Sequence, residues 1–310
     1  MKSELSYVVA TDTFETIRAV VRAVAEQTVR DRVELVIVCP SERELALDPA
    51  ETETIGATTV VEAGTVVPLS RARALAIRRS SCPLVFIGET HSFPAPDCLE
   101  LLMAAHSSGD YAVVIPMIEN GNPEKALSWA TLMLTYRHWI EPASRGEIDV
   151  VSTYNACFRR DVLLGFGDRL EAMLDYGSGL DVELRARGSR FLIEPAARLA
   201  HLNVAARNAW LPERFLAGRF WASTRSRRWP GARRAAYVLA SPLIPFLIVG
   251  KAIRSPHWAH HRARMPRGTT GAVLRCAIAT AAGEVTGYAV GGGRTPVRLA
   301  EYELHRTRYV

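Results

Sequence analysis

No two of the five cysteines, Cys39, Cys82, Cys98, Cys157 and Cys276, stand at CxxC spacing, and five is an odd number. The count argues against a closed disulfide frame and the spacing against a cysteine zinc site. The thiols therefore read as free, in a reducing cytoplasm. Also missing is a signal-peptide pattern, since Met1–Lys2–Ser3–Glu4 leads straight into a strand-like run. A run of about 20 apolar residues fit to cross a bilayer is absent too. The nearest approach is residues 235–250, sixteen residues between Arg234 and Lys251 that include Pro242 and Pro245. As a helix it would extend roughly 24 Å, against a hydrocarbon core of about 30 Å. The expectation is a segment lying on a bilayer or dipping into it; a buried core helix kinked at proline is the other reading.

Acid is nearly absent between Ala205 and Thr270, where thirteen Lys or Arg face Glu213 alone, a local balance of +12. The whole chain carries +6, so the remainder is near −6. A basic segment of this kind meets phosphate, on lipid or nucleic acid. Trp210, Phe215, Phe220, Trp221 and Trp229 are interleaved with the arginines, and residues 243–249 are apolar. That mixture suits a lipid interface better than a phosphate backbone, so membrane association is expected and nucleic acid is not. No internal repeat is visible. At 310 residues, 48% hydrophobic and 23% charged, the chain is globular, with room for a large domain and an appendage.

What is present reads first as α/β. Residues 6–10 form an apolar strand that ends at the polar turn Thr11–Asp12–Thr13. Ile17, Val20, Val21 and Val24 follow at helical spacing, and residues 35–38 are a continuous apolar run suited to a strand buried on both faces. Strand, helix, strand in 40 residues indicates a parallel sheet with right-handed crossovers. A third strand is expected at 58–61, an arginine-bearing helix at 69–79 and a fourth strand at 84–87. Further on, the pattern predicts a helix over 96–106, a strand over 111–116 and a surface-lying helix over 123–140. A strand over 150–158 is interrupted at Tyr154–Asn155, a helix over 180–187 stops at Gly188, and residues 191–193 lead to a turn at 200–203. The last helix is expected over 272–282, ahead of five glycines in residues 283–293.

The chemistry is concentrated after the fourth strand, in Gly88–Glu89–Thr90–His91. Ligands bind beyond the carboxyl ends of strands in open α/β sheets. Glu89 and His91 are two apart, so an extended segment puts both on one side, able to reach a cation or a diphosphate. A strand that simply ends in solvent is the alternative.

The order of these pieces resembles a family 2 glycosyltransferase with a GT-A fold, over residues 5–205, followed by a basic extension like that of membrane-associated members. The residues that carry the likeness are Thr11–Asp12, Gln27, Glu34–Val38, Leu69–Arg73, Glu89–Thr90–His91, Tyr154–Asn155 with Arg159–Arg160, and His201 with Asn203. The resemblance implies a mostly parallel GT-A sheet flanked by helices over 1–205, and a helical, membrane-associated extension over 206–310. It implies transfer of a sugar from a nucleotide sugar to a lipid-linked or polysaccharide acceptor, by a peripheral protein at the cytoplasmic face of the membrane. Thr11, Asp12, Arg71, Arg73 and Asn155 are then donor-binding candidates. Glu-x-His stands where the family has an acidic motif, so Glu89 and His91, with His201, form the candidate metal set for Mn²⁺ or Mg²⁺; imidazole favours Mn²⁺.

Two departures stand out. The second strand ends in Cys39–Pro40–Ser41, where an acid usually meets the nucleoside, leaving Asp12 to take that contact or the donor to differ. The catalytic acid pair expected before Gly188 falls on Tyr176–Gly177–Ser178, which contain no carboxylate. Asp181 is the first candidate base and Asp175 the second, with Glu183 further along. If none serves, the chain is a catalytically silent relative that binds a nucleotide sugar or a partner as a scaffold.

Overall fold

A computed structural model describes residues 3–310. They form two compact units. One contains the chain up to Ile118, Ala143–Asp175 and Gly179–Ala200; the other contains Glu119–Pro142, Tyr176–Ser178 and His201–Val310. Compactness thus divides the chain elsewhere than at 205/206, because the segment 119–142 joins the C-terminal helices.

The first unit is built on a mixed sheet whose strands are β1 (Leu5–Ala10), β2 (Val33–Cys39), β3 (Ala57–Glu62), β4 (Leu84–Ile87), β5 (Ser92–Pro94), β6 (Val113–Asn120), β7 (Gly146–Glu147), β8 (Ala156–Arg159) and β9 (Phe191–His201). Their order is β3-β2-β1-β4-β8-β6-β9-β5, with β7 beside β9. The β3-β2-β1-β4 half is parallel, and β8 runs antiparallel to both β4 and β6. Every residue of β1 and β2 is buried, which explains why these strands lack polar alternation. Helices Phe14–Ala25 and Leu69–Arg79 supply the crossovers. Buried Gln27 fastens the first of these. Its amide donates to the Ala23 and Ala95 carbonyls at 3.0 and 2.8 Å and its Oε1 accepts from the Leu99 amide at 3.0 Å. Glu34, also buried, accepts from the Ser6 hydroxyl and the Ser81 amide.

The second unit is helical. The helix Trp210–Arg225 packs against Thr269–Val290, and Gly283 sets how closely: a Cβ there would lie 2.0 Å from the Phe215 carbonyl oxygen. The expected break into a glycine-rich loop at 283 is therefore wrong. The helix continues to Val290, because contact between the two backbones stabilises what the low helix propensity of glycine would end. Glu213 and Arg214 form a buried ion pair, and Arg214 also donates to the Thr135 hydroxyl at 2.8 Å. Burial works against the guanidinium charge, but the adjacent Glu213 carboxylate outweighs it and holds Arg214 protonated beyond its ordinary range. Part of the basic segment is thus folded inward.

Other expectations are corrected. The helix foreseen over 123–140 is Ala126–Thr135, and Trp129, Tyr136 and Trp139 are buried rather than surface-lying. The strand foreseen from 150 begins only at Ala156, since Asn155 takes a φ of +54° that extended pairing does not allow. In place of a turn at 200, β9 runs through Pro195 to His201, the Glu194 carboxylate accepting the Ala196 amide at 3.2 Å. The apolar stretch 235–250 is the middle of a longer helical run, Gly231–Ile253, of 23 residues and about 34 Å. By length and composition alone it is able to cross a bilayer, contrary to the sequence-based limit. Arg234 does not end it, because its side chain turns aside to donate to the Tyr288 carbonyl at 2.8 Å.

The tight helix crossing gives opposite expectations for two glycines. Gly283→Val lowers unfolding free energy by about 1–3 kcal/mol or more through overpacking. Gly271→Ala, exposed with no atom near its would-be Cβ, raises it by about 0.5–1 kcal/mol. Urea denaturation of both variants checks the sign.

Candidate functional site

The sheet of the first unit reverses its winding between β1 and β4, and ligands gather at such points, beyond the strand ends. The two strands end together, with Val8 opposite Ile87 and the Gly88 amide donating to the Val8 carbonyl at 2.9 Å. Glycine is required at 88. A Cβ there would lie 2.5 Å from the Tyr7 ring, which stacks on Phe86 with centroids 5.1 Å apart. Burial, with Cys98 and Glu89 nearby, pushes the Tyr7 phenol well above its usual range, so it stays neutral.

Glu89 and His91 come next, and both are buried. His91 Nε2 lies 3.7 Å from Glu89 Oε2, and it is a turn at Thr90–His91, not the extended segment expected, that brings the two side chains together. Glu89 Oε2 accepts from Asn155 Nδ2 at 2.6 Å and from the Ser92 hydroxyl at 3.3 Å. Arg73 reaches from the helix Leu69–Arg79 to within 3.8 Å of Glu89 Oε1 and stacks over Tyr154, 5.0 Å from its ring centroid. His91 Nδ1 pairs with the Thr90 hydroxyl at 3.2 Å. A carboxylate taken out of water needs compensation of this kind, from hydrogen bonds and a nearby cation. The left-handed backbone of Asn155 is what turns its amide onto Glu89, and its own N–H is held by the Ile87 carbonyl at 2.7 Å.

The structure thus unites Glu89, His91, Arg73 and Asn155. Thr11 and Asp12 leave the neighbouring strand β1, but much of their bonding capacity serves the turn. The Thr11 hydroxyl donates to the Thr13 carbonyl at 2.7 Å, and Asp12 Oδ1 accepts the Thr13 amide and Thr16 hydroxyl at 2.9 and 3.1 Å. Arg71 is exposed on the helix that carries Arg73. Arg159 and Arg160 have structural roles, the first pairing with Asp110 and Asp161 and the second donating to the Ile77 and Arg78 carbonyls.

His201, assigned to the second unit, ends β9. Its Nε2 meets the Tyr136 hydroxyl at 3.0 Å and its Nδ1 meets Asn203 Oδ1 at 3.1 Å. The Asn203 amide nitrogen donates to Asn120 Oδ1 at 3.1 Å, so Oδ1 is the atom facing the imidazole and Nδ1 carries the proton. The lone pair is therefore at Nε2.

Among the candidate bases, Asp181 is half-buried in the first turn of the helix Leu180–Ala186, and Asp175 is half-buried just before Tyr176. Glu183 is engaged by Arg169 and Arg187, which hold its carboxyl below the usual range. Tyr176 packs on a cluster of Leu216, Ala217 and Leu299, with the charges of Arg214 and Glu213 acting on its phenol, and no carboxylate stands at 176–178. The sequence reading missed Tyr154 as the platform for Arg73 and Tyr136 as the partner of His201. Their only signal is aromatic character, which says nothing of a distant partner.

Comparison with solved structures settles the architecture. The fold is that of the GT-A glycosyltransferases. The chain is similar to GalNAc-T7, crystallised with UDP, GalNAc and Mn²⁺, at TM-score 0.51 and 14% identity over 64% of this chain and 43% of that one. It thus spans less than half the length of GalNAc-T7. It is also similar to the mannosyltransferase PcManGT from Pyrobaculum calidifontis, in complex with GDP-Man and Mn²⁺, at TM-score 0.50 and 16% identity, covering 100% of this chain and 84% of that one. No family model and no curated protein matches the sequence.

The Glu89–Asn155 bond gives a graded expectation. Asn155→Gly keeps the backbone and loses the bond, costing about 1.5–3 kcal/mol of stability. Asn155→Ala adds about 1–2 kcal/mol of left-handed strain. Guanidinium unfolding of the two variants measures the difference.

Proposed function

We propose that this chain is a nucleotide-sugar glycosyltransferase, of the family 2 kind, which moves a sugar onto a lipid-linked or cell-envelope polysaccharide acceptor at the cytoplasmic face of a membrane. The observation that carries the reading is the buried Glu89–His91–Arg73–Asn155 cluster at the reversal point of a GT-A sheet. Release of a nucleoside diphosphate develops negative charge, and a cationic site there stabilises it. Arg73, held at 3.8 Å from Glu89 and backed by Tyr154, is one such charge. Arg71, Thr11, Asp12 and Asn155 complete the proposed donor contacts.

The donor set suits a divalent cation. One carboxylate and two imidazoles, those of the proposed set, would offer oxygen and nitrogen, a mixture that favours Mn²⁺ over Mg²⁺. In this reading Glu89, His91 and His201 would hold the ion, which would supply Lewis-acid stabilisation of the diphosphate. Asn155 and Ser92 orient the Glu89 carboxylate, and Asn203 fixes the tautomer that leaves the His201 lone pair on Nε2. Asp181, or else Asp175, takes the proton of the acceptor hydroxyl in an inverting transfer. The lack of a carboxylate in Tyr176–Gly177–Ser178 favours a second reading, a silent relative that binds its nucleotide sugar without turnover.

A panel of nucleotide sugars with Mn²⁺ separates the two. For the enzyme, donor turnover is expected to fall at least about 100-fold in Glu89→Ala and in His91→Ala, and also in Asp181→Asn. Donor binding with no turnover in the unaltered chain leaves only the scaffold.

Membrane attachment is proposed to act through Gly231–Ile253. Leu239 and Phe246 are 81% and 72% exposed there, and Arg227 and Arg228 stand just ahead of the run in sequence. Such a surface, apolar with a basic border, inserts between anionic headgroups. Full-length protein is expected to float with anionic liposomes, and Leu243→Glu with Phe246→Glu is expected to leave it in the pellet fraction. Flotation unchanged by the pair overturns this anchor.

A further inference from the structure

We propose that Glu141, His260 and His261 form a zinc(II) site within the helical unit, made of residues the transferase reading does not use. Each of the three offers one ligand atom, and these atoms lie within 4.8 Å of one another. Glu141 follows the helix Ala126–Thr135, while the two histidines close the helix Pro256–His261. His260 Nε2 stands 3.3 Å from Glu141 Oε2. Ligands on a tetrahedral zinc sit roughly 3.4 Å apart, given bonds of about 2.0–2.2 Å, so this pair already has the spacing. His261 is the third member of the set, its ligand atom within 4.8 Å of the other two.

His261 points to a ligand independently. It is 7% exposed, and neither of its buried ring nitrogens makes a well-formed hydrogen bond, the Glu141 carbonyl being the one acceptor near enough to act on it. Its ring is wedged between Trp129, at 5.1 Å, and His260, at 4.8 Å and nearly perpendicular. A buried polar atom left unpaired is costly, and native structures seldom retain one without a reason.

The surroundings are arranged as outer supports. His257 Nδ1 donates to the Glu141 carbonyl at 3.0 Å, which ties the ligand-bearing loop to the histidine helix. The Ser255 hydroxyl caps that helix by accepting the Trp258 amide at 3.1 Å. Arg264, 3.8 Å from Glu141 Oε2 and largely exposed, is free to swing out as the ion enters. Two imidazoles and one carboxylate select zinc over the oxygen-seeking Mg²⁺ and Ca²⁺, and leave a fourth position for water. The ion would brace the helix Pro256–His261, which directly follows the apolar run Gly231–Ile253.

The test uses full-length protein stripped with EDTA and carrying Glu89→Ala and His91→Ala, so that the proposed catalytic set does not contribute. Calorimetric titration with ZnCl₂ is expected to give one ion per chain. Titration with CoCl₂ is expected to give the strong visible absorption of a tetrahedral centre. His260→Gln and His261→Asn, added singly, are expected to weaken zinc at least about tenfold and to remove that absorption. His260 is partly exposed, so its glutamine variant tests the idea even if His261→Asn fails to fold. Equal zinc affinity in His260→Gln, or no zinc uptake by the parent, overturns the proposal. Should the Glu89/His91 double variant not fold, wild type replaces it: loss of one of its ions in His260→Gln supports the site, and an unchanged count overturns it.

Discussion

Burying the carboxylate of Glu89 is the constraint around which the first unit is organised. An ionised group removed from water must recover its hydration from the protein. Here the recovery comes from Asn155, Ser92, His91 and Arg73, contributed by three separate stretches of chain. Each contributor has its own requirement. Asn155 needs a left-handed backbone, Arg73 an aromatic platform, and Glu89 itself a glycine behind it so that Tyr7 fits below. A cluster that demands so much of its neighbours is preorganised, which is what stabilisation of a developing charge calls for.

The helical unit applies the same physics to different ends. Glu213 and Arg214 neutralise each other in the interior, while Arg225 and Arg233 lie over the rings of Trp221 and Trp229 at 4.2 and 4.0 Å. The local balance of +12 is therefore not all presented to a partner. Some of it holds helices and aromatic rings together, and what remains outside borders the apolar run from Gly231 to Ile253.

Much of the sheet was legible because its signals are local. Continuous apolar runs at 35–38 and 84–87 admit little but buried strands, and the helix 69–79 was bounded at both ends by its sequence. Glu89 and His91 were marked on the expectation of an extended segment, whereas a turn at Thr90–His91 brings them together. Features that depend on distant contacts were not legible. Gly283 reads as a helix breaker until Phe215 is seen against it, and Tyr136 reads as a surface aromatic until it closes on His201. Asn155 was marked as a donor contact, yet its bond to Glu89 spans 66 residues. The proposed base stayed ambiguous for a further reason: acids flank Tyr176–Ser178 on both sides, and spacing alone does not say which one turns inward.

One consequence lies in the pairing of Tyr136 with His201. The phenol donates its proton to Nε2, and its ring sits 4.5 Å from the imidazole and 6.2 Å from Trp139. Nothing else can hold that lone pair until the phenol swings aside, and the swing would disturb the packing beside the indole. In the proposed metal reading, loading of His201 would displace the phenol and change the surroundings of Trp139, which tryptophan fluorescence would register.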